Sequence, residues 1–325
     1  MTTLLPLVSV VSVYYNRADH VEESVKSLLD QDYQNLEIVL VDDGSTDDTY
    51  EKLSFFADDK VTVVTHENKG FVNSIKDALA TVSGDYVAIH GSGDISMPSR
   101  IREQASVLIS NEEIGVVGCH ILAAKNFGSA DHVVKMPSDL PFRNTLKKRN
   151  LFSHGEVMFR RSTYLQAGGY RSLFTYAQDR DLWLRMSLHC DYAIVPEVLY
   201  KRKILPSGVG STLSKLKLQA YLSDFAVQCA QAVDNGLEDP VEKFGPLSLF
   251  YRRSSPALAN RFASVGIRWM VLKDEAEGWS LLEAAKREAV TPHVLLYYAL
   301  GAMRKSTFLW RRIVKPLLVR RLDAD

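Results

Sequence analysis

Cysteine is scarce in this chain of 325 residues: Cys119, Cys190 and Cys229 lie far apart and form no Cys-x-x-Cys pair. That scarcity excludes a disulfide framework and a zinc knuckle, and it fits the reducing cytoplasm. Long apolar runs are also lacking. A bilayer span needs roughly 18 to 20 consecutive apolar residues, and the longest candidate, Val294 to Met303, falls well short, so an integral membrane protein is not expected. Neither charge sign is in excess, with 39 basic and 39 acidic side chains. The loops that should meet a ligand are acidic, which leaves no footprint for nucleic acid. The apolar start LLPLVSVVSVYY has no basic residue before it and no small-residue cleavage site after it, so it reads as a first strand rather than a targeting segment.

What is present is an alternation. Over the first two hundred residues, short β-rich runs trade places with helical patterns, the signature of an α/β domain with a mainly parallel sheet covered on both faces. Strands are expected at Leu7 to Val13, Leu36 to Val41, Val61 to Thr65, Tyr86 to His90 and Gly115 to Ile121. Most of these runs are almost continuously apolar or β-branched, as buried parallel strands are. Asp19 and Glu22 have capping-box spacing ahead of Val21, Val25, Leu28 and Leu29 on one helical face. Ser45 or Asp47 would cap a second helix, and a third is expected from Phe71 to Thr81.

After about Leu205 the strand signal fades, dividing the chain into residues 1–205 and a helical C-terminal extension, 206–325. Its end is uneven in charge. From Val294 to Leu322 there is no acid, while Arg304, Lys305, Arg311, Arg312, Lys315, Arg320 and Arg321 alternate with Phe308, Leu309, Trp310, Ile313, Leu317, Leu318 and Val319. Two readings stand: an amphipathic helix on an anionic membrane surface, or a packed helix with a solvated basic face.

Ligands of open α/β sheets bind where strands deliver loops at their carboxyl ends. Three such loops are polar here: YYNR (Tyr14 to Arg17), DDGSTDD (Asp42 to Asp48) and HGSGD (His90 to Asp94). Acids beside a helix N-terminus suit a base, a ribose or a cation bridging to a diphosphate better than a bare phosphate. A helix-capping turn is the alternative for DDGSTDD.

The ordered stretches VSVVSVYYNRADHVEESVKSLLDQDYQNLEIVLVDDGSTDDT, ENKGFVNSIKDALATVSGDYVAIHGSGDISMPSRIREQ, IGVVG and HGEVMFRRSTYLQAGGYRSLFTYAQDRDLWLRM closely resemble family 2 glycosyltransferases. The likeness runs over about residues 7 to 205. It implies the Rossmann-like GT-A fold, a nucleotide-sugar donor, and a base and ribose near Val13, Tyr14, Asn16, Asp42, Asp43, Asn68 and Gly70. Val13-Tyr14 stands where the family usually has Pro-Thr, and Ile75-Lys76 also departs from its pattern. The larger departure is at the end of the fourth strand, where the family's Asp-x-Asp-Asp is replaced by Gly91, Ser92, Gly93 and Asp94.

Only Asp94 remains there to hold a divalent cation, manganese or magnesium, with His90 as a possible helper or simply a packed histidine. Weak or dispensable metal dependence is the expectation. Backbone N–H groups at Gly91 and Gly93 could then approach the diphosphate. Arg202, with Lys201 or Lys203, could supply counter-charge, although a solvated basic strand end is the alternative.

The resemblance makes Asp179 in QDRDLWLRM the general base, with Asp181 as a helix cap, and it puts His154 and Tyr170 on the acceptor side. An inverting glycosyltransferase follows, acting on a glycan or lipid-linked acceptor in surface polysaccharide or glycoconjugate synthesis, cytoplasmic or peripheral on the inner membrane face. The rival is a non-catalytic nucleotide-sugar-binding or scaffold protein.

Overall fold

Every side chain of VSVVSVY is buried, and in the computed structural model, which describes residues 5–123, 131–138, 140–203 and 212–322, this strand (β1, Val8–Tyr14) lies inside the sheet. A strand covered on both faces has no use for alternating polarity. β1 pairs in parallel with β2 (Leu36–Asp42) on one side and β4 (Tyr86–Gly91) on the other, and β3 (Val61–Thr65) extends the sheet from β2. Helices α1 (Val21–Leu29), α2 (Thr49–Ser54) and α3 (Phe71–Thr81) make the crossovers.

Beyond β4 the sheet becomes mixed. β4 pairs antiparallel with β8 (Met158–Arg160), and β8 antiparallel with β6 (Ile114–Ala123). β6 runs parallel to the long β9 (Asp191–Arg202), whose end pairs antiparallel with the two-residue β5 (Ile95–Ser96). The order is β3-β2-β1-β4-β8-β6-β9-β5, with β7 (His132–Val134) attached to β6. Helices α4 (Arg100–Ser110), α5 (Phe142–Lys148), α6 (Arg161–Gln166) and α7 (Gln178–Met186) complete this part.

The five expected strands all form, with ends shifted by a residue or two, and α3 has the expected bounds. Two capping expectations change. No box forms at Asp19 and Glu22, because the chain makes a short 3-10 turn, Ala18–His20, and α1 starts at Val21 without a side-chain cap. At α2, Asp47 rather than Ser45 accepts the first-turn N–H, that of Thr49, at 3.0 Å.

The chain divides into two compact units, 1–208 and 209–325. The second is helical: α8 (Leu213–Asp234), α9 (Pro240–Phe244), α10 (Pro256–Leu272), α11 (Glu275–Glu288), α12 (Pro292–Ala302) and a terminal helical stretch from Thr307 to Leu322 that widens into a π turn at Trp310–Val314. Its helix starts are written in the sequence. Thr212, Asp239, Ser255, Asp274 and Thr291 each accept an N–H of the following first turn, and Pro240, Pro256 and Pro292 sit where no N–H is needed. Arg252 fastens α8 to α11, reaching Asp224 at 3.1 Å and Glu288 at 2.5 Å. Among the described residues no helix is long and apolar enough to cross a membrane.

Helices α10 and α11 touch backbone to backbone. A Cβ at Gly278 would collide with the Met270 nitrogen and come within 2.6 Å of the Gly266 carbonyl oxygen. Gly278→Ala should therefore destabilise the helical unit by ~1–3 kcal/mol, the usual cost of overpacking, read as a lowered denaturant midpoint for that unit.

Candidate functional site

The carboxyl ends of β1, β2 and β4 lie level, since Tyr14 pairs with Asp42 and Val13 with Gly91. The first two loops are knitted together. Asn16 adopts a left-handed backbone, φ 51°, which lets its N–H reach Ser45 Oγ at 2.9 Å while its side-chain oxygen accepts from Thr46 N–H at 2.8 Å. Arg17 N–H donates to Thr49 Oγ1 at 2.7 Å. Asn16 shares a positive φ with only one other described non-glycine residue, Ala177. Such conformations cost about 1–3 kcal/mol and cluster at functional sites.

Asp42 and Asp43 are each 2% exposed and face inward. Asp42 accepts from Ser45 N–H at 3.2 Å and Thr65 Oγ1 at 2.8 Å. Asp43 accepts from Lys69 N–H at 3.0 Å and Ser74 Oγ at 2.8 Å, and Asn68 Nδ2 donates to the Asp43 carbonyl at 2.8 Å. Gly70, at φ 84°, then turns the chain into α3. Both acids thus organise the loops, each satisfied by neighbours within the protein. Val13 and Tyr14 are core side chains, Tyr14 bonding Ser24 Oγ at 3.1 Å, so only their backbone borders the loops. Tyr15 is the aromatic ring turned outward, 46% exposed. It was absent from the sequence-derived set, although the end of an all-buried strand is where alternation resumes.

The fourth-strand loop is held from beneath. Tyr200, on β9, accepts from Gly91 N–H at 2.8 Å and donates to Asp94 Oδ2 at 2.7 Å. Lys203 N–H donates to Asp94 Oδ1 at 2.8 Å. Burial pushes the Asp94 carboxyl up to about 6, against the pull of those two bonds. His90 is 1% exposed, with Nε2 at 3.1 Å from the Asp94 carbonyl and 3.0 Å from Ser24 Oγ. Burial, with the Arg100 charge second, lowers it to about 3, so it is a neutral ring donating from Nε2.

These residues do not fit a divalent cation. His90 has spent Nε2, its Nδ1 is buried with no partner, and both Asp94 oxygens are engaged. No three acid, histidine or cysteine side chains converge among the described residues.

Three basic side chains end β9. Lys201 pairs with Asp131 at 3.1 Å, and Lys203 Nζ with Glu23. Arg202 donates to Ser153 Oγ at 3.3 Å and, among the described residues, forms no ion pair with an acid. Its charge draws down the titration of both Asp94 and Glu156.

On the other side, Ala177 at φ 60° is the N-cap of α7 and turns Asp179 into the first turn. Asn150 Nδ2 donates to Asp179 Oδ2 at 2.6 Å; no described donor meets Oδ1. Asp181 is not a cap. It is buried, pairing with Arg171 and with Arg185 at 2.7 Å, because two guanidiniums compensate its desolvation. His154 Nε2 lies 2.6 Å from Tyr170 OH, and the Phe71 ring, next after Gly70, packs edge-on against His154 at 5.5 Å. That contact joins the two halves of the site. Burial depresses the His154 pKa, opposed by the nearby Asp179 charge. Tyr170 is 2% exposed and backs His154 rather than lining a cleft.

Residues 9–167 match the family described as Glycosyl transferase family 2. The glycosyltransferase EpsE of Bacillus subtilis is 34% identical over 186 residues, covering 55% of this chain and 66% of that protein. An O-antigen biosynthesis glycosyltransferase, WbnJ of Escherichia coli, is 26% identical over 192 residues, covering 58% and 74%. Among solved structures, S. aureus TarS 1-349 in complex with UDP-GlcNAc superposes with a TM-score of 0.56 at 15% identity, covering 93% of this chain and 92% of that one. The mannosyltransferase PcManGT of Pyrobaculum calidifontis, in complex with GDP-Man and Mn2+, gives 0.53 at 21%, covering 98% and 86%. At those identities the structures establish the fold, GT-A, a mixed and mostly parallel sheet flanked by helices.

Glu156, also absent from the sequence-derived set, is fully buried beside His154. Oε1 accepts from Ser153 N–H at 2.7 Å while Oε2 has no partner, and burial lifts the carboxyl from 4.5 to about 8. The unfolded chain releases this proton first. The stability it contributes is therefore full below about pH 4.5 and is lost as pH rises through 8. Glu156→Gln, neutral at every pH, should flatten that alkaline loss in denaturation curves taken at pH 6 and pH 9.

Proposed function

The chain belongs to glycosyl transferase family 2 through residues 9–167, and from that premise we propose that it is an inverting transferase moving a sugar from a nucleotide-diphosphate donor to a glycan or lipid-linked acceptor. The observation that carries the reading is Asp179, one carboxylate oxygen held by Asn150 and the other without a described donor, at a helix start bent into place by a strained Ala177. A general base needs this combination of fixed position and open lone pair. The acceptor oxygen attacks the anomeric carbon, its proton passes to Asp179 Oδ1, and the bond to the diphosphate oxygen breaks on the opposite face. The leaving diphosphate carries away the electron pair, and the new glycosidic bond has inverted configuration.

Asn16, Asp42, Asp43, Asn68 and Gly70 would shape the base and ribose site as loop organisers, with Tyr15 available to stack. His154, backed by Tyr170, would border the acceptor. The likeness to WbnJ, an O-antigen biosynthesis glycosyltransferase, favours a surface polysaccharide as product.

The C-terminal stretch combines both readings of its sequence. Trp310, Val314 and Leu318 are buried, while Leu309, Ile313 and Leu317, one position earlier in the same spacing, are exposed beside the exposed Arg311 and Arg312. An apolar stripe flanked by cations suits an anionic bilayer surface, where a lipid-linked acceptor would lie.

Asp179→Asn should lower kcat about 10²- to 10⁴-fold, the usual worth of a general base, while donor affinity by calorimetry stays unchanged. Retained turnover would remove Asp179 from the mechanism. The full chain should float with vesicles containing phosphatidylglycerol and not with pure phosphatidylcholine. Replacing Leu309, Ile313 and Leu317 by serine should abolish flotation without touching the buried seam, and unchanged flotation would refute the membrane reading.

A further inference from the structure

Gly91 is more than a position that lost an acid. A Cβ built there would run into Asp94 Oδ2 and come within 3.1 Å of the Tyr200 hydroxyl; one built at Gly155 would strike the same hydroxyl and lie 3.1 Å from Gly91 N. Two glycines therefore make the space that one tyrosine hydroxyl fills. That hydroxyl is a hub: it receives the Gly91 N–H and gives its proton to Asp94, whose other oxygen takes the Lys203 N–H. Arg100 stacks over the Tyr200 ring at 4.8 Å and donates to the Ile89 carbonyl at 2.8 Å. His90 and Gly93 reach the loop from the other side through Ser24 Oγ, at 3.0 and 3.2 Å.

We infer that Asp94 is a positioning residue, a latch between the β4 loop and the end of β9, and that the donor diphosphate is neutralised by Arg202 rather than by a carboxylate-held divalent cation. Three observations converge. The latch sets a hydrogen-bond donor on each oxygen of the one acid left in the loop. It also fixes the backbone at Lys203, adjacent to Arg202. Arg202 is the cation of the β9 end that has no acid partner among the described residues, whereas Lys201 and Lys203 have theirs. A carboxylate whose lone pairs are tied to a hydroxyl and an amide is a poor ligand for a hard cation that demands open oxygens. A guanidinium held by a serine hydroxyl, in contrast, keeps further donors for phosphate oxygens.

The inference rests on the donor reading above, and the experiment separates the two. Titrate the full chain calorimetrically with uridine, guanosine, adenosine, cytidine and thymidine diphosphates, each in EDTA and in manganese. Binding of one of them with equal affinity in both buffers, weakened about 10- to 100-fold by Arg202→Ala as for a lost charge-assisted hydrogen bond, is the expected result. Binding that requires manganese, or that ignores Arg202→Ala, overturns the inference while leaving the donor reading intact. Failure of all five to bind overturns both.

Gly91→Asp, which returns the first acid of the family's usual motif, is expected to clash with the latch and to gain no manganese-dependent binding; a gain would equally overturn the inference. Should that variant not fold, Tyr200→Phe serves. Freeing Asp94 Oδ2 without adding bulk should weaken nucleotide binding in EDTA about tenfold, the scale of one lost hydrogen bond to a charged group. Unchanged EDTA binding in Tyr200→Phe would remove the latch from the donor site.

Discussion

The register of β1 is the constraint on which the loop-bearing face of the sheet depends. Six buried residues, Val8 to Val13, pair on both sides at once, and that double pairing brings the ends of β2 and β4 level with Asn16. Loops that start level can bond to one another, as those of residues 16, 45, 46 and 49 do. A slip of one residue would turn each buried valine of β1 to the opposite face and separate the loops by a full pleat.

Polar side chains in this face are mostly turned inward. Asp42, Asp43 and Asp94 spend their oxygens on backbone N–H groups and hydroxyls of neighbouring turns, so the surface offered to a ligand is largely backbone and outward-turned side chains such as Tyr15. Preorganisation of this kind is costly to build, since each buried acid must be fully bonded. Once built, it lets a ligand bind without ordering the loops first.

Much of this was legible in the sequence, and the remainder has physical reasons. Strands β1 to β3 and β6 announce themselves as nearly continuous apolar or β-branched runs, and helix α3 by its period. The antiparallel strands β5, β7 and β8 have two or three residues each, too short to carry any period, and so the mixed half of the sheet was not foreseen. Residue type located the loops at Asp42, Asp94 and Asp179 but not the direction in which each carboxylate points. Asp181 looks like a cap in sequence because it stands in a first turn; only the fold brings Arg171 beside it. Tyr200 had no sequence signal, because its hydroxyl acquires meaning only from partners 109 and 106 positions away, Gly91 and Asp94; Glu156 stands at capping-box spacing from Ser153, which marks a helical turn but not the burial of the acid.

The packing of Gly91, Gly155 and Tyr200 also constrains how this protein can change over generations. The tyrosine hydroxyl keeps its place only while position 155 carries no Cβ, and the Asp94 carboxylate keeps its place only while position 91 carries none. A side chain at position 91 would first meet the Asp94 carboxylate and only then the Tyr200 hydroxyl, 3.1 Å from its Cβ, so an acid returning there must first displace Asp94 from the tyrosine.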